Sequence, residues 1–192
     1  MRNLPNILTW SRIVIIPILI FLMMQVPAWC SWAALGLYTY ACITDFFDGY
    51  LARKWNVVSP IGKFLDPIAD KLLIAAILMT LAALDRLYDY WIIPAMVILI
   101  REIFIAGLRE YLGPLNIKLP VSLLAKWKTT SQMFCLGFLI VGPHAQDVLP
   151  FGLTSLEVGH WLLALAAILA VITGWNYTVI GFQHILNNAE KK

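Results

Sequence analysis

The sequence predicts an all-α integral membrane protein, a six-transmembrane-helix bundle preceded by a short N-terminal juxtamembrane segment. Three observations carry that prediction. Of 192 residues, 61% are hydrophobic and 13% charged, whereas a soluble domain carries about 25% charged residues; the mean hydropathy is +0.80. The apolar residues gather into six runs, about 11–29, 32–54, 61–84, 90–112, 122–142 and 157–186, each near the roughly 20 residues that a helix needs to cross a bilayer. The basic residues are also one-sided. With the N-terminus in the cytoplasm, all of the 14 Lys and Arg except Arg86 fall on the inner face, the bias that orients membrane helices.

Taken in order, residues 1–10 form the juxtamembrane segment; its stretch 3–9 is too short to span and reads as a surface turn or amphipathic helix leading into the first span. Arg2 followed by the apolar run Ile13 to Val26 has the outline of a leader peptide. No small-x-small pattern follows Met24, and Trp29 and Trp32 suit interfacial anchors, so the run is read as a retained span. Ser59-Pro60 opens span three, with Ser as N-cap and Pro at the first helical position. Pro67 then falls inside that span and predicts a kink. The connection from Lys54 to Ser59 is short, so spans two and three are expected to be antiparallel neighbours. The outer loops hold Arg86 with Asp85, Asp89, Asp147 and Glu157. Cys30, Cys42 and Cys135 show no zinc or disulfide spacing and read as packing residues. The runs use up most of the chain, so 1–192 is one membrane domain with both termini cytoplasmic. The net charge of +3 reflects an inner face suited to anionic lipid headgroups rather than to nucleic acid.

Inside this apolar background lies Asp45-x-x-Asp48-Gly49-x-x-Ala52-Arg53, then eight residues, then Gly62-x-x-x-Asp66-x-x-x-Asp70. Asp45, Asp48, Gly49 and Ala52 share one helix face, and Gly62, Asp66 and Asp70 form a second stripe. Four converging carboxylates would repel one another until some took up protons, and two divalent cations remove that penalty. All-oxygen ligands without Cys or His nearby favour Mg²⁺ or Mn²⁺. The two glycines leave flat helix surface for a close ligand, and Arg53 offers a forked donor to phosphate oxygens. Metals beside an arginine are the recurring equipment of phosphoryl transfer. A single aspartate near a span end reads equally well as a cap or an interfacial charge. Four at these spacings do not, because charge at membrane depth is costly. Lys63 and Lys71 read as interfacial or balancing charges.

The whole pattern D-x2-D-G-x2-A-R-x8-G-x3-D-x3-D resembles the signature of the CDP-alcohol phosphotransferase family at every position. The opening Pro5-Asn6-Ile7-Leu8-Thr9-x-x-Arg12 is similar to that family's N-terminal segment. Arg101-Glu102, Leu108-Arg109-Glu110 and Lys126-x-Lys128-Thr129-Thr130-x-Gln132-Met133 resemble its phosphatidylglycerophosphate synthase subgroup, apart from Ala125, where that subgroup often has Gly. The resemblance implies six transmembrane helices in a homodimer at the cytoplasmic membrane. It also implies transfer of a phosphatidyl group from CDP-diacylglycerol to an alcohol, with release of CMP. Carried over position by position, it makes Asp45, Asp48 and Asp66 metal ligands for two divalent ions. Asp70 becomes the general base for the acceptor hydroxyl and a contact of the second metal. Gly49, Ala52 and Gly62 line the cytidine and diphosphate site, Arg53 holds the diphosphate, and Asn6 and Thr9 close over the nucleotide.

The acceptor is read from Arg101, Arg109, Lys126 and Lys128, which gather near the inner ends of spans four and five. A phosphorylated acceptor such as sn-glycerol 3-phosphate needs such cations, and a neutral alcohol does not. The same lysines also suit a plain inner interface, and Arg101 with Glu102 suits a structural pair within span four; the residues alone leave these readings side by side. The subgroup resemblance points to sn-glycerol 3-phosphate. The alternatives are an inositol phosphate or cardiolipin synthase type within the family, or an ion-coupled transporter outside it. A transporter would show a matching acidic stripe in spans four to six, which the sequence lacks.

Overall fold

A computed structural model describes the backbone of residues 4–55, 60–114, 117, 122–145 and 152–189. Side chains are described for these residues apart from 4–9, 46–55, 60–64, 66 and 186–189. Among the described residues six α-helices follow one another: α1 Leu4–Met23, α2 Ala28–Trp55, α3 Pro60–Ala83, α4 Ile92–Leu112, α5 Leu123–Val141 and α6 Ser155–Ala189. Single 3-10 turns, Asp89–Trp91 and Gly142–Ala145, sit before α4 and after α5. No strand occurs among the described residues. Two segments, Asp89–Leu112 and Ser155–Ile185, are long and apolar enough by length and composition to cross a membrane.

Each predicted run corresponds to one helix, but the first boundary needs correction. The run drawn over 11–29 breaks after Met23, and Trp29 and Cys30 belong to α2. Pro27 explains the break: it has no N–H to continue α1, and its carbonyl accepts the Cys30 N–H at 2.9 Å as α2 begins. At the other end, residues 4–10 continue into the first run as a single helix. The last helix starts at Ser155 rather than 157. Thr154 and Glu157 form a reciprocal capping box there: the Thr154 N–H donates to Glu157 Oε2 at 2.9 Å, and the Glu157 N–H donates to Thr154 Oγ1 at 3.2 Å.

Among the described residues, α2 and α3 both pack against α1; the expected meeting of α2 and α3 beside the 54–59 connection lies outside the described residues. α4 packs on α3 and α6, and α5 packs most extensively on α6 and also on α2. The close α5–α6 approach depends on Gly159, where a Cβ would fall 2.8 Å from the Leu139 side chain, too near for any larger residue. Leu19, Ile77, Leu81, Ile98, Leu136, Leu139 and Leu163 form the buried core. The outside is equally apolar: Phe21, Met79, Ile100, Phe134, Trp161, Ile168 and Trp175 are all exposed.

Candidate active site

The packing of α3, α4 and α5 brings polar side chains to one level inside the bundle. Glu102 on α4 is 5% exposed. Its Oε2 accepts from Lys71 of α3, and its Oε1 accepts from Lys128 of α5 and, at 3.0 Å, from Arg101 Nη1. Lys71 Nζ also donates to Asp70 Oδ2 at 2.8 Å. One buried carboxylate therefore meets three cations, the kind of compensation that a buried charge requires.

Arg101, Ile105 and Arg109 follow at i, i+4 and i+8 on α4 and so share a face. That face looks into a cleft of about 300 Å³ that Asp70, Lys71, Glu102 and Glu110 also line. Arg101 is held from several sides. Its Nη2 donates to Thr173 Oγ1 at 3.1 Å, and its Cζ lies 5.7 Å from the Tyr177 ring centroid. Arg109 Cζ lies 5.3 Å from the same ring, so one aromatic platform carries both guanidinium groups. Tyr177 is buried, and its hydroxyl accepts the N–H of Ser122, the N-cap of α5, at 3.4 Å. Gly174 leaves the space Arg101 uses, since a Cβ there would lie 3.1 Å from Arg101 Cγ.

Of the proposed acceptor cations, the structure brings Arg101 and Arg109 into the cleft with Asp70. Lys128 is buried against Glu102, while Lys126 is exposed and does not line the cleft. On the acidic side, Asp45 lies on α2 and Asp70 on α3. Asp45 bonds to Arg12 of α1, a buried guanidinium. Both acid side chains remain open, at 53% and 42% exposure, and an accessible all-carboxylate donor set fits a hard divalent cation. The backbones of Asp48, Gly49, Ala52 and Arg53 continue α2, those of Gly62 and Asp66 belong to α3, and those of Asn6 and Thr9 to α1; their side chains lie outside the described residues. No group of three acids, histidines or cysteines gathers among the described residues.

Three contributors were missed in the sequence: the bridging role of Glu102, the Tyr177 platform and the Arg12–Asp45 contact. Glu102 and Arg12 carried a usable signal, because a charge set within an apolar run implies a partner. Tyr177 carried none, since an aromatic in an apolar helix is ordinary.

The model of the family described as CDP-alcohol phosphatidyltransferase matches residues 2–173. Proteins named CDP-diacylglycerol–glycerol-3-phosphate 3-phosphatidyltransferase are among the relatives. The one from Rickettsia typhi is 43% identical over 92% of this chain and 96% of its own length. That from Cereibacter sphaeroides is 37% identical over 91% and 93%, and that from Escherichia coli K12 is 36% identical over 91% and 90%.

Proposed function

The chain belongs to the CDP-alcohol phosphatidyltransferase family, and from that premise we propose that it transfers the phosphatidyl group of CDP-diacylglycerol to sn-glycerol 3-phosphate. The products are phosphatidylglycerophosphate and CMP. One observation carries the acceptor assignment: Asp70, the last acid of the family motif, shares its cleft with Arg101 and Arg109. A base and a paired guanidinium site in one cavity suit a substrate with a hydroxyl at one end and a phosphate at the other.

In this mechanism Arg101 and Arg109 bind the acceptor phosphate, and Tyr177 keeps the two guanidinium groups on one side of the cleft. Asp70 takes the proton of the acceptor hydroxyl. The freed oxygen attacks the lipid-proximal phosphorus in line, a new P–O bond forms, and the bond to the CMP oxygen breaks with its electron pair leaving on CMP. Arg53, Gly49, Ala52 and Gly62 cradle the CDP portion, and Asn6 and Thr9 close over the nucleotide. Asp45, Asp48, Asp66 and Asp70 would hold two Mg²⁺ or Mn²⁺ ions, which neutralise the diphosphate and the departing charge when bound.

The six helices cross the inner membrane with both termini and the cleft toward the cytoplasm, and two chains associate as a homodimer. The apolar exterior and the one-sided basic residues support that placement. An apolar groove of about 390 Å³ runs between α2 and α5, lined by Trp32, Leu35, Tyr38, Cys42, Phe134 and Phe138. Cys42 lies one helical turn from Asp45, so a lipid tail laid in this groove would bring its headgroup toward the acids. The test is CMP release by the purified protein from CDP-diacylglycerol with each acceptor in turn. Glycerol 3-phosphate should support turnover well above inositol phosphate or phosphatidylglycerol; a preference for either of the others would remove this assignment.

A further inference from the structure

Phosphoryl acceptors with a hydroxyl and a phosphate at opposite ends are selected by length as well as by charge. A cleft that binds the phosphate and activates the hydroxyl must therefore fix the distance between those two functions. Here the functions stand on different helices, the base Asp70 on α3 and Arg101 on α4. Side-chain contacts join them through two residues, Lys71 and Glu102. Glu102 holds Arg101 at 3.0 Å with one oxygen and Lys71 with the other, and Lys71 holds Asp70 at 2.8 Å. The oxygen that meets Arg101 also takes Lys128, which ties α5 to the same point. Glu102 borders the cleft but is 5% exposed, and both its oxygens are already taken by cations, so this carboxylate is committed within the protein. Neither Lys71 nor Arg101 can shift without breaking a charged contact in a buried site, which is costly.

We propose that Glu102 is a positioning residue that sets the separation between Asp70 and Arg101, and thereby the length of the phosphorylated alcohol the cleft accepts. This rests on the acceptor reading above. The inference makes a demand that a merely stabilising ion pair does not: a change at Glu102 should alter the ranking of acceptors by length, and not only the amount of active protein.

The experiment uses the full chain in lipid nanodiscs with CDP-diacylglycerol, following CMP release. The acceptors are sn-glycerol 3-phosphate and the monophosphates of ethylene glycol, propane-1,3-diol and butane-1,4-diol. The wild-type protein should prefer the three-carbon diol phosphate over its shorter and longer neighbours by about tenfold or more in kcat/KM, since small misplacements at a reacting centre are expensive. Glu102→Gln should compress that preference to within about threefold while leaving KM for CDP-diacylglycerol near its original value. Should Glu102→Gln fail to elute as a single species, Glu102→Asp carries the test. It keeps the charge but moves the carboxylate by one methylene, and it too should flatten the length preference. A folded variant that is slower but keeps the wild-type ranking would overturn the inference while leaving the acceptor reading intact. A wild-type protein that releases CMP with other acceptors but not with glycerol 3-phosphate would instead remove the acceptor reading and this inference with it.

Discussion

The two ends of the bundle each set an arginine among helices, and they use it in opposite ways. Beyond the end of α3, Arg86 is 8% exposed and gives Nη1 to the carbonyls of Leu139, at 3.1 Å, and Ile140 in the last turn of α5. A cation there satisfies carbonyls that the helix leaves open and suits the negative end of its dipole. His160 completes the arrangement: its Nε2 meets the Arg86 carbonyl at 2.8 Å, and its ring stacks on Trp91 with centroids 4.6 Å apart. Every one of these partners is backbone or an aromatic ring. Around Arg101 the partners are an ionised side chain, Glu102, with the Thr173 hydroxyl, the Tyr177 ring and the wall of a cleft. A buried charge matched to backbone fastens a fold, whereas charges matched to one another beside open space hold the groups of a cleft in register.

That contrast can be broken or sharpened by experiment. The largest expected effect is at the cleft: Asp70→Asn should lower kcat by about a thousandfold, as expected for loss of a general base, while the protein remains folded by size-exclusion chromatography. Chelation with EDTA should remove activity to a similar extent and restoration of Mg²⁺ or Mn²⁺ should return it; persistent turnover in EDTA would exclude the metal-holding role of the four aspartates. Next in size, Arg101→Ala should raise KM for glycerol 3-phosphate by at least about tenfold, the worth of a charge-assisted bond, with KM for CDP-diacylglycerol little changed. Lys128→Ala should act in the same direction but more weakly, because its ammonium meets Glu102 and not the cleft. The reverse pattern, with the lipid substrate affected instead, would take these cations out of the acceptor site.

At the other end the expected changes are in stability. Arg86→Ala leaves the α5 carbonyls without their donor and should cost about 1–3 kcal/mol, visible as a lowered apparent Tm with activity per folded molecule unchanged. Loss of turnover without loss of Tm would erase the distinction between the two ends. The smallest effect should come from Gly142→Ala. Gly142 has φ +53° and a Cβ there would lie 3.2 Å from Arg86 Nη1, so about 1–2 kcal/mol of backbone strain is expected.

Much of the fold was legible because hydropathy and helical spacing are local properties. The six runs matched six helices among the described residues, and α3 begins at Pro60 as expected, while the Ser59 cap lies outside those residues. The first boundary was missed because the apolar run passes through Pro27 without a change of composition, although the proline itself was the signal. Thr154-x-x-Glu157 was likewise readable as a capping box and was read only as loop charge. The site was legible in part. The acids stood out by their spacing, and Arg101 and Arg109 by their place near the inner end of span four.

The sequence by itself determined the number of helices, the acidic stripes on α2 and α3, and the family, since each depends on residues a few positions apart. Tertiary structure alone decided which charges meet. Arg12 reaches Asp45 across 33 residues, Lys71 reaches Glu102 across 31, and Lys128 reaches it across 26. It also decided that, among the described residues, α2 packs against α1 and α5. A helix repeats its own faces every turn but carries no mark of which other helix will cover them. Only the packing of the whole bundle assigns partners to its charges.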